Sequence, residues 1–136
     1  MKSSTLVVAS LSAISLASIA QARVLLSFDG IRGGNGSVTD SPTYATLRSD
    51  IATQFPDYSV LETSTLSPAS LAGVDVAWLG VARVNGLAVT LSAGEQTALM
   101  DFVVAGGTAV LFCDNDTCAP AAPAGNASFV GQFGIS

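Results

Sequence analysis

Four short apolar runs, each closed by a turn-forming residue and separated by segments of helical spacing, constrain this chain more than any other feature. Arg23-Val-Leu-Leu-Ser-Phe28 is one unbroken run, and Asp29-Gly30 stops it. Such runs suit strands covered on both faces, as in a parallel sheet. Tyr58 to Leu61, Val74 to Leu79 (stopped by Gly80) and Thr108 to Cys113 read as three more. Between the first two, Ser41-Pro42 supplies an N-cap followed by proline at the first helical position. Tyr44, Leu47, Ile51 and Phe55 then share one helical face, which Pro56 ends. Ser67-Pro68 opens a single helical turn through Leu71. Ser92-Ala-Gly-Glu95 is a capping box, in which the two side chains satisfy each other's free backbone N–H groups. Ala98, Leu99, Phe102 and Val103 form the buried face of that helix, and Gly106-Gly107 ends it with a left-handed cap.

The connections read as loops. Ile31 to Asp40, with Gly33, Gly34 and Gly36, is expected to be flexible; Asn85-Gly86 marks another loop, and Asp114 to Gly125 is rich in Pro, Ala and Gly. Phe129, Val130, Phe133 and Ile135 begin a further helical face just before Ser136. The resulting order is strand, helix, strand, short helix, strand, helix, strand. It predicts an α/β fold: a mostly parallel, flavodoxin-like sheet of about four strands with helices on both faces. The late apolar face has no further segment to cover it, so the domain is expected to be incomplete at its C-terminus. The rival reading is a small complete domain whose last helix docks on the sheet.

Residues 1–22 read as a secretory signal rather than part of the fold. Lys2 precedes an uncharged stretch from Leu6 to Ala20, which closes on Ala20-Gln21-Ala22, an A-x-A site for cleavage before Arg23. A transmembrane anchor is the competing reading, but the stretch is short and carries Ser10, Ser12, Ser15 and Ser18. The expected division is signal peptide 1–22 and one α/β domain 23–136. The expected location is secreted or periplasmic, in the cell envelope, with no membrane span after signal cleavage.

The formal net charge is −5, and loss of Lys2 leaves Arg23, Arg32, Arg48 and Arg83 against ten Asp and Glu. Four scattered cations on an acidic chain cannot neutralise a run of phosphates, so nucleic acid is excluded as the expected partner. The chain contains no His and two Cys, Cys113 and Cys118. In an oxidising compartment their simplest fate is a mutual disulfide, with two free thiols as the alternative. Two thiols without His fall short of a zinc site, so no metal and no cofactor is expected.

The first run ending Phe28-Asp29-Gly30 belongs to a wider resemblance. So do Leu66-Ser67 through Leu71 leading into Val74-Asp-Val-Ala-Trp-Leu79, Leu91-Ser92 with Glu95, and Leu99-Met-Asp-Phe-Val103. Gly106-Gly107, the run Ala109 to Phe112 and Gln132-Phe-Gly-Ile135 complete it. Together, from Val24 to Ile135, they resemble the N-terminal part of a class I glutamine amidotransferase-like domain, of the non-glutaminase, trehalose-utilisation-type or related branch. The resemblance implies the fold more than an activity. Glutaminases of that family place a nucleophilic Cys on a glycine-flanked turn after a strand, with His and Glu later in the chain. Cys113 stands in a comparable place, yet its neighbours are Phe112 and Asp114, and the chain has no His to activate it. A Cys–His glutaminase within these residues is excluded.

Ligands of open parallel sheets bind outside the carboxyl ends of the strands. That rule selects Asp29, Gly30, Gly80, Arg83, Asp114 and Asp116 as the candidate binding rim. Asp29, Asp114, Asn115 and Asp116 could ligate a hard cation, but the simpler reading is that they shape turns. The glycine-rich segment after Asp29 lacks the spacing and the lysine of a phosphate loop. Trp78, inside an apolar run, is expected in the core. The expected function is a non-catalytic binding or structural module whose partner is a small molecule, carbohydrate or protein. The alternatives are a carbohydrate-active or amidohydrolase-like enzyme whose remaining catalytic residues lie past residue 136, and a redox protein using its two thiols.

Overall fold

The computed structural model describes residues 23–80, 82–85, 87–113 and 121–135. The putting together of the sheet begins with β1 (Arg23–Phe28), whose bounds match the first apolar run residue for residue. It pairs in parallel with β2 (Tyr58–Thr63) on one side and β3 (Val76–Leu79) on the other. Beyond β3 lies β6 (Thr108–Leu111), again parallel. The strand order β2-β1-β3-β6 is the all-parallel α/β arrangement expected from the sequence. Between β3 and β6 the chain also makes a small antiparallel hairpin of β4 (Arg83–Val84) and β5 (Leu87–Ala88).

Alternation along β1 divides the core in two. Leu26 and Phe28 face a cluster with Leu66, Leu79, Leu91, Leu99, Phe102 and Phe129, while Leu25 faces Val38 and Ile51 on the other side of the sheet. The second side is covered by α1 (Ala45–Gln54), preceded by a 3-10 turn at Pro42–Tyr44. Ser41 caps that turn by accepting the N–H of Thr43, and Arg48 donates to the carbonyls of Val38 and Ser41 at 3.1 and 2.7 Å. The first side is covered by α2 (Ala93–Val104) and α3 (Ala122–Val130), the latter followed by a 3-10 turn at Gly131–Phe133. Trp78 is half-buried between the rings of Tyr44 and Phe112, 6.4 and 4.8 Å away, in keeping with a core role.

The capping box forms as expected: Ser92 Oγ accepts from Glu95 N, and the Glu95 carboxylate accepts from Ser92 N. Gly106, at φ 102°, takes the left-handed turn after α2, and Gly107 packs directly under Phe102. Several expectations need correction. β2 runs two residues further than Leu61, because Thr63 still pairs with Phe28. Val74 belongs to the turn before β3, its N–H bonded to Leu71 O, whereas the single helical turn expected at Ser67–Leu71 is present, closed by Leu71 N to Ser67 O at 3.1 Å. β6 ends at Leu111, so Phe112 and Cys113 lie outside it. The loop expected to run to Gly125 gives way to α3 at Ala122. Pro123 there sits in the first helical turn, where its missing N–H costs nothing. Of the late apolar face, Phe129 is 1% exposed within the core, whereas Ile135 is 58% exposed. Among the described residues no helix is long and apolar enough to cross a membrane.

Candidate functional site

Because the sheet is wholly parallel, the carboxyl ends of its strands share one edge, and the segments that leave them build the site. The glycine-rich loop after β1 is more defined than a flexible connection. Asp29 Oδ1 accepts the N–H groups of Ile31 and Arg32 at 2.9 and 3.1 Å, and Asp29 O accepts that of Gly33 at 2.7 Å. Gly36 N then bonds Gly33 O at 3.1 Å, closing a second turn. A side chain at Gly33 would place Cβ 2.5 Å from Gly36 O, so this tight double turn requires glycine there. The carboxylate of Asp29 therefore shapes the loop, which favours the turn-forming reading over the cation site.

The hairpin supplies the facing wall. Asn85 at its tip has φ 53°, the left-handed conformation that an Asn-Gly pair brings to a two-residue turn. Gly33 bridges Ala82, and Arg83 N donates to Arg32 O at 2.8 Å, so loop and hairpin meet along their bases. Between them lies an open cleft of about 470 Å³ bounded by Gly30, Ile31, Gly33, Gly34, Arg83, Val84 and Asn85. Ile31 is 72% exposed and Val84 is exposed as well, which gives the mouth an apolar rim around one cation.

No protein-family model matches the chain, and no curated protein or solved structure is significantly similar to it. The site therefore stands on its own geometry.

Of the six expected rim residues, Gly30 and Arg83 meet in the cleft. Asp29 lies beneath it as the turn-former, and Gly80 lines a separate crevice behind the loop with Ser27, Val38 and Tyr44. Asp114 and Asp116 lie outside the described residues, as do Cys118 and Asn115. Cys113 is exposed and carries a free thiol among the described residues; the expected Cys113–Cys118 disulfide has its second partner outside them. Cys113 stands two residues beyond the end of β6 and is exposed. Among the described residues, no group of three or more His, Cys, Asp or Glu is placed to hold a metal ion.

The sequence reading missed the pairing of Arg32 with Glu95. The guanidinium sits 4.9 Å over the ring of Phe28, donates to Ser64 O at 2.9 Å, and forms a two-pronged contact with the Glu95 carboxylate. Glu95 also accepts from Leu66 N at 3.2 Å and from Ser92 Oγ at 3.0 Å. Burial opposes the charge of this carboxylate. The hydrogen bond and charge of Arg32 and the two backbone N–H bonds outweigh it and hold Glu95 below its ordinary range. A second polar chain runs from exposed Glu62 through Thr39 (2.6 Å) and Ser37 (2.7 Å) to buried Ser27 (3.3 Å). The hydroxyls of Thr39 and Ser37 lower the pKa of Glu62.

Proposed function

We propose that this chain is an exported, non-catalytic α/β module that binds its partner in the cleft between the glycine-rich loop and the β4–β5 hairpin. The observation that carries the reading is the cleft itself. It lies at the carboxyl edge of an all-parallel sheet, where folds of this class bind ligands, and it has the volume of a small-molecule site. Its lining joins glycine backbone and the apolar Ile31 and Val84 to the polar Arg83 and Asn85, a composition suited to holding a ligand and poor in groups that move protons. The lack of any His in the chain supports the same conclusion. The resemblance to class I amidotransferase-like domains enters as part of this proposal: the parallel sheet is what that family requires, but many unrelated functions share such a sheet.

Export is supported by the Lys2, Leu6–Ala20 and Ala20-Gln21-Ala22 pattern. Expression of the full chain in a secreting host, followed by N-terminal sequencing of the exported protein, tests it, and Arg23 is the expected first residue. For the site, the exported protein is titrated with defined sugars, small carboxylic acids and short peptides, and amide shifts are followed by NMR. Ligand-dependent shifts at Gly30–Gly34 and Val84–Asn85 are expected. Shifts confined to other surfaces, or turnover of any of these compounds, would overturn the reading.

A further inference from the structure

Arg32 takes part in both walls of the cleft. Its carbonyl holds the hairpin through Arg83 N at 2.8 Å, and the next residue, Gly33, bridges Ala82. Its side chain reaches the body of the domain, where it grips the Glu95 carboxylate and the Ser64 carbonyl and lies over Phe28. Glu95 is bonded in turn to the start of α2 through Ser92 and to the β2–β3 connection through Leu66. The two side chains are 13% and 7% exposed, so removal of either leaves a largely buried charge without its counterpart.

We infer that Arg32 and Glu95 are positioning residues of the cleft: the pair clamps the glycine-rich wall, and through it the hairpin wall, to the cap of α2. The clamp stands on geometry alone; its consequence for a ligand rests on the proposed binding role. Strain or movement at the start of α2 or at Leu66 is passed to the cleft through one guanidinium, whose planar fork a lysine does not reproduce.

Amide hydrogen exchange of the ligand-free protein, read residue by residue by NMR, tests the clamp in R32A, R32K and E95Q. The Gly33, Gly36 and Arg83 amides are expected to exchange about tenfold faster in R32A and E95Q, with a smaller change in R32K, while β1 and β3 amides keep their protection. E95Q keeps a side-chain acceptor for the α2 cap, so it decides the matter should R32A fail to fold. Unchanged exchange at those three amides, or an equal acceleration throughout the sheet, would overturn the inference. Failure to find a ligand would sink the binding role and leave this result intact.

Discussion

Phe129 meets Phe28 edge to face, with ring centroids 6.1 Å apart and planes inclined by 76°. This contact joins the last helix to the end of the first strand. Phe28 also lies under the Arg32 guanidinium, so its ring links α3 to the residue whose carbonyl holds the hairpin.

Phe129 is fully buried, and its truncation leaves a cavity in the larger core. Phe129→Ala is expected to cost about 3–5 kcal/mol of stability. Urea denaturation with the unfolding slope unchanged checks it; a loss below about 1 kcal/mol would mean that α3 is not part of the cooperative core.

Ser92 caps α2 and also touches Glu95. Ser92→Ala is expected to destabilise the protein by about 1 kcal/mol through the lost cap. A fall in Tm, with Ser92→Thr (which keeps a hydroxyl able both to accept from Glu95 N and to donate to the Glu95 carboxylate) retaining much of the native value, is the outcome that identifies the cap as the cause.

Glu95 is held below its ordinary value of 4.5 in the folded chain. A carboxylate lowered on folding stabilises the native state above its unfolded value, and the contribution is lost as pH falls through the folded one. Stability from this source is therefore full at neutral pH and drains away on acidification below about pH 4.5. Glu95→Gln, weaker at neutral pH, is expected to show a shallower acid limb. Denaturant midpoints across the acid range for both proteins measure this, and parallel profiles would exclude Glu95 as the source.

Gly107 has no room for a side chain: a Cβ there would stand 2.3 Å from the Phe102 ring. Gly107→Ala is expected to cost about 1–3 kcal/mol by overpacking. The double variant with Phe102→Leu should recover part of that loss relative to Phe102→Leu alone; strict additivity of the two changes would rule out the clash.

The exposed thiol of Cys113 is expected to react with a maleimide in the folded protein without prior reduction. Mass spectrometry of the labelled peptide reads it directly. Labelling that requires a reductant would show that the thiol is paired in solution.

Much of the fold was legible because its signals are local. The capping box placed the start of α2, and the run from Arg23 to Phe28 carried the bounds of β1. The hairpin was not, because strands of two residues are too short to display alternation, although Asn85-Gly86 is the turn signature between them. Pro123 and Gly125 disguised α3, since residues that break a helix interior are tolerated near its start. At the site, Gly30 and Arg83 followed from the strand-end rule, whereas Ile31 and Val84 carried no chemical mark. Arg32 and Glu95 are 63 positions apart, and no local pattern can announce such a pair.

The first of the described strands, β1, occupies an interior place in the sheet, flanked by β2 and β3. A chain emerging from its N-terminus holds no partner for that strand until residue 58, and the second flank waits for residue 76. Every ladder in the main sheet is parallel and closes over a long connection, a topology that delays assembly and makes it all-or-none. A nascent chain thus cannot close both ladders of β1 before residue 79 has been synthesised.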